Sequence, residues 1–107
     1  MTVNKALLRQ TLAYIEAHPD EFDQSSSDRC FAAIAIRLVY PDAAFDRDYV
    51  KVDDKGHWVM SLGADMLGIT HLHGSGRVTG WALFEPINGL DDLRRIVGEL
   101  CDDKEAA

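Results

Sequence analysis

This chain has no apolar run long enough to span a bilayer, only two cysteines, and little positive charge. A membrane helix needs roughly 20 apolar residues, whereas the greasiest stretch here, CFAAIAIRLVY over 30–40, is shorter and contains Arg37. The opening MTVNKALLRQ lacks the apolar core of a signal peptide. A cytoplasmic protein without membrane contact is therefore expected. Cys30 and Cys101 have no framework spacing and read as reduced packing residues, although spacing alone leaves a disulfide between them open. Lysine and arginine number 11 against 18 aspartate and glutamate, for a formal net charge of −7. Such a field repels phosphate backbones, and Arg94-Arg95 is the only adjacent basic pair, so direct nucleic-acid binding is not expected. A basic protein surface is the natural counterpart, while the same acidity would also suffice to keep a domain soluble.

What is present is a folded composition, 47% hydrophobic, in a length suited to one core. A single helical domain over 1–107 with a polar tail at 102–107 is expected. The segment at about 28–40 is apolar nearly all round, which marks a helix enclosed by the others. Serines 25–27 with Asp28 offer oxygens to cap its start, and Tyr40-Pro41 ends it. From Val3 to about Ala17, Leu7, Leu8, Leu12 and Ile15 fall on one side of an amphipathic helix that stops at His18-Pro19. Phe22 is expected to pin the following polar loop to the core.

Residues 42–47 read as an acidic turn or short helical piece. Beyond them, YVKV and HWVM flank Asp53-Asp54-Lys55-Gly56, a hairpin signal near 49–60. Val59, Leu62, Met66 and Leu67 keep helical spacing, so a third helix is expected at least over 61–67, with an earlier start near Trp58 as the competing reading and Gly68 as the stop. HLHGSGRVTG reads as a loop before the apolar WALF. In the last helix Leu90, Leu93, Ile96, Val97, Leu100 and Cys101 form one stripe, with Asp91 and Asp92 in the first turn where the helix dipole favours anions and Asp91 one turn before Arg95. The fold class is mainly α: about four helices around an apolar central one, with a small β-hairpin beside them.

Taken in order, YIEAHPDEFDQ, CFAAIAI, LGADMLGIT and ALF followed by GLDDLRRIVGEL resemble small uncharacterised proteins of mycobacteria, related actinobacteria and their bacteriophages. In that family the central helix opens on cysteines five residues apart, in a form like C-G-T-x-x-C-x-A-G. Here Ser25 stands at the first cysteine, Cys30 matches the second, and Ala33 replaces the glycine. Any disulfide or metal role of such a pair is lost, and HLHGSGRVTGW is longer than the family's usual connection. The resemblance implies a helical fold and a phage or prophage origin, and transfers no activity.

The chemistry-bearing candidates are few. His71 and His73 form an H-x-H pair that could hold zinc or copper with a carboxylate or Cys101, but structural zinc wants four ligands, and His18 and His57 lie in other elements. Gly74 to Gly80 gives G-x-G-x-x-x-G without the strand–helix–strand context of a dinucleotide turn. Ser61 and Ser75 lie in no nucleophile elbow, and Cys101 falls on an apolar stripe. The run Asp42, Asp46, Asp48, Asp53 and Asp54 lacks calcium-loop spacing. Trp58 and Trp81 stand beside turns, and tryptophan is enriched at binding hot spots. A docking surface is thus expected around Trp81, Phe84 and Trp58, rimmed by Asp53 and Asp54, in a non-enzymatic acidic interaction protein without a cofactor. Three alternatives stand beside it: a DNA mimic, a metal-binding protein or metal-dependent enzyme using His71 and His73, and a homo-oligomer that buries its tryptophans.

Overall fold

The computed structural model describes residues 3–24, 26, 28–69, 83–85 and 88–101. Helix α1 (Lys5–Ala17) is followed by a 3₁₀ turn (Pro19–Glu21), α2 (Phe31–Val39), strands β1 (Ala44–Asp46), β2 (Tyr49–Val52) and β3 (Lys55–Trp58), α3 (Val59–Leu67) and α4 (Leu90–Leu100). The fold is mainly helical but mixed, because the three strands form an antiparallel sheet in the order β1-β2-β3. Among the described residues no helix is long and apolar enough to cross a membrane.

The central helix is enclosed over its first six residues, Phe31 to Ile36, none more than 3% exposed. Its last turn emerges: Arg37, Val39 and Tyr40 are exposed. Enclosure thus covers less of the segment than its composition implies. Alanines at 32, 33 and 35 let neighbours come close, and α3 uses this at Gly63, where an added Cβ would lie 2.7 Å from the Ala32 Cβ. The N-cap position of α2 is Cys30, whose side chain makes no capping bond, and Ser26 donates to Asp28; Ser25 and Ser27 lie outside the described residues. The Gln24 side-chain oxygen accepts from the Phe31 N–H at 3.1 Å, reaching back from the preceding loop and satisfying one of the donors a helix start leaves free.

Asn4 begins α1 as an N-cap, its side-chain oxygen accepting from the Leu7 N–H. The same residue ties down the far end of α3, through its own N–H to the Leu67 carbonyl and its side-chain amide to that of Met66. Helix α4 packs on α1. Arg94 bonds Glu16 at the C-terminal end of α1, while the Cys101 Sγ lies 3.9 Å from the Lys5 carbonyl at the other, so the two helices run antiparallel. Asp92 accepts from the Gly89 N–H, and Asp91 pairs with Arg94, not Arg95. Gly68 ends α3 in the left-handed region at φ 71°, a conformation open to glycine without steric cost.

The segment expected to be an acidic turn or helical piece supplies β1 instead. Its alternation decides this: Phe45 turns inward and carries Arg37 over its ring at 4.3 Å, while Ala44 and Asp46 point outward. The 49–58 hairpin forms as expected, although the loop is only Asp53-Asp54, and Lys55 and Gly56 already pair with Val52 and Lys51. Both aspartates have positive φ, 51° and 66°, as a two-residue loop matched to strand twist requires. β3 passes into α3 without a connecting residue, so the hairpin reading and the earlier helix start both hold. Val50, Val52 and Val59 then bury the sheet's inner face against the helices.

Candidate functional site

The alternation of β2 fixes what the sheet shows to the outside. Val50 and Val52 are buried, so Tyr49 and Lys51 stand on the opposite face, and cross-strand pairing adds Trp58 beside Tyr49 and Gly56 beside Lys51. β1 extends both rows, with Asp46 opposite Tyr49 and Ala44 opposite Lys51. One row across the three strands therefore reads Asp46, Tyr49, Trp58, and the next reads Ala44, Lys51, Gly56.

Tyr49 and Trp58 are stacked, with ring centroids 4.0 Å apart and planes 29° off parallel. They remain 48% and 53% exposed, so the stack is a platform with one side open to solvent. Met60, on the first turn of α3, is also exposed. Two adjacent aromatics left half in water cost apolar hydration without contributing to the core, which is the usual mark of a contact surface. Asp53 and Asp54 are exposed at the hairpin tip, at the opposite end of the β2–β3 ladder from the Tyr49–Trp58 pair.

Phe84 belongs elsewhere. It is only 7% exposed and packs in the core with Leu83, so it is no surface anchor. An apolar segment after a loop fits a core plug and a docking ridge equally well, and burial selects the first. Trp81, His71, His73, Ser75 and the glycines at 74, 76 and 80 lie outside the described residues. Among the described residues no group of three or more His, Cys, Asp or Glu side chains could hold a metal ion. The two described histidines are far apart in role: His18 stacks on Tyr14 with centroids 4.2 Å apart, and His57 is partly buried on the inner side of β3.

Neither cysteine is joined in a disulfide. Burial pushes each thiol up from its ordinary range, away from the thiolate form, and the Cys101 Sγ lies 3.9 Å from the Lys5 carbonyl.

A groove of about 350 Å³ lies between α1, the 3₁₀ turn and α2. Ile34 and Leu38 contribute its apolar lining, and Arg29, Arg37, Asp20, Glu21 and Asp28 its charges. Arg29 is fixed by the carbonyls of Asp20 and Glu21, and Arg37 by that of Asp28. The Tyr14 hydroxyl donates to Glu21 at 2.6 Å, and that bond, with burial behind it, pushes the phenol up from its usual range. Its charges are mixed and tied to local backbone, which makes the groove a brace for the 18–30 connection more than a receptor of one sign.

Sequence reasoning missed Tyr49 and Gln24. The first was legible, because a two-residue loop at Asp53-Asp54 places Tyr49 opposite Trp58. Gln24 carried no signal, since its partners lie some sixty positions away at Leu83 and Glu85. Comparison with protein families, with curated sequences and with solved structures returns no match.

Proposed function

We propose that this is a small acidic interaction protein, of phage or prophage origin, that binds a host or viral protein and modulates it by occupying a basic surface. The observation that carries the reading is the Tyr49–Trp58 stack, half exposed on the outer face of the sheet in a chain of net charge −7. Aromatic anchors supply contact area at low entropic cost, and the surrounding carboxylates supply steering toward positive charge.

The aspartates of the sheet region, Asp42, Asp46, Asp48, Asp53 and Asp54, are interspersed with Arg47, Lys51 and Lys55. That mixture argues against a DNA mimic, which needs carboxylates in an unbroken array. The test is affinity capture from actinobacterial lysate at low and moderate salt, with wild-type and Trp58→Ala baits in parallel. Wild type should retain a stoichiometric protein that the variant loses and that high salt releases. Recovery of no such protein, or equal recovery by both baits, refutes the reading.

A further inference from the structure

We infer that the row Asp46, Tyr49, Trp58 is a receptor for an arginine side chain of the partner, an inference that rests on the function proposed above. The pairing register puts a carboxylate, a phenol ring and an indole side by side on one exposed face, on neighbouring strands about 4.8 Å apart. A guanidinium laid flat on the Tyr49 ring, on the face that the stacked indole leaves open and that lies toward Asp46, is attracted by the ring's negative face. Its N–H groups then extend along the row toward the Asp46 carboxylate, which accepts them in a charge-assisted bond. Arginine suits this arrangement better than lysine, because its planar cation stacks and bonds at once, whereas an ammonium is a hydrated point charge.

The adjacent row completes the geometry. Ala44 and Gly56 flank Lys51 and carry almost no side chain, so a partner backbone can lie close to the sheet beside the aromatic pair. Lys51 is the one cation of these two rows and opposes the incoming charge. It lies a residue pair away from the stack on a long exposed stem, so it weakens the site without blocking it.

Two other occupants of an exposed aromatic face are disfavoured by charge. A second copy of this chain would bring −7 against −7, and single-stranded nucleic acid would bring phosphates to the same acidic surface.

The experiment is a two-dimensional NMR titration of the isotope-labelled full chain at low salt with a ten-residue peptide alternating Arg and Gly. Saturable shifts are expected at the amides of Asp46, Tyr49 and Trp58 and at the Trp58 indole N–H. The citrulline peptide, which keeps the shape and loses the charge, should leave them unmoved, and the lysine peptide should bind several-fold more weakly. Trp58→Ala, which removes the ring that backs Tyr49, should weaken binding about tenfold. Asp46→Asn, an exposed change that leaves folding intact, should weaken it about threefold, and Lys51→Ala should strengthen it about twofold.

Equal shifts with citrulline, shifts confined to other residues, or indifference to both Trp58→Ala and Asp46→Asn overturn the inference. Shifts at this row that grow with chain concentration in the absence of peptide assign the face to a second copy, and stronger shifts with oligothymidylate assign it to nucleic acid; either result overturns it. A partner captured through Trp58 that the arginine peptide fails to displace leaves the proposed function standing while the arginine receptor falls.

Discussion

Gln24 joins parts of the chain that are remote in sequence. Its side-chain nitrogen donates to the carbonyls of Leu83 and Glu85 at 2.7 and 3.1 Å, and its oxygen receives the first N–H of α2. At 8% exposure these groups have little water to fall back on. Truncation strands buried backbone groups, so Gln24→Ala should cost about 1–3 kcal/mol, read as a lower urea midpoint at unchanged slope. Gln24→Glu should be worse at neutral pH than at pH 4, because an ionised carboxylate cannot donate to either carbonyl, whereas a protonated one can serve one of them. A midpoint for Gln24→Ala equal to wild type would show that the bonds are replaced by solvent.

At the scale of the element, the β2–β3 hairpin turns through two aspartates in left-handed geometry. Aspartate tolerates that region better than most residues but not as freely as glycine. Asp54→Gly should therefore stabilise the protein by a few tenths of a kcal/mol up to about 1 kcal/mol, seen as a raised Tm with the Tyr49 and Trp58 resonances in place. A lowered Tm would mean that the Asp54 carboxylate holds the turn by contacts of its own. The elements legible in the sequence were those with a long period or a hard stop: α4 by its stripe, α1 by His18-Pro19, α3 by Gly68, and the hairpin by turn residues between β-branched runs. β1 was not legible, because three residues are too few for alternation to register and its strand state depends on Phe45 finding Arg37 and Val50. The candidate surface was half legible: Trp58 stood out as a residue type, whereas Tyr49 is recognised only through cross-strand register. Phe84 misled because hydrophobicity reports a preference to leave water and not the destination.

For the whole molecule, the two thiols set an alkaline limit. Burial raises the folded-state pKa of Cys30 and of Cys101 above the unfolded value. The fold thus holds these protons more tightly than the unfolded chain, and that contribution is intact below the free-thiol value of about 8.5 and is lost as pH climbs through the higher folded-state values. Urea midpoints should fall from about pH 9 upward, and Cys30→Ala with Cys101→Ala should flatten that decline. An equally steep decline in the double variant would move its origin to other groups.

Because β3 becomes α3 without an intervening residue, Trp58 is at once the end of a strand and the N-cap of a helix. Whatever grips that indole also takes hold of the lever whose middle, Gly63, rests against Ala32 at the molecule's centre. Occupancy of the outer face should consequently be felt inside, as slower hydrogen exchange at Gly63 and Ala64 in the middle of that helix, away from the residues the visitor touches.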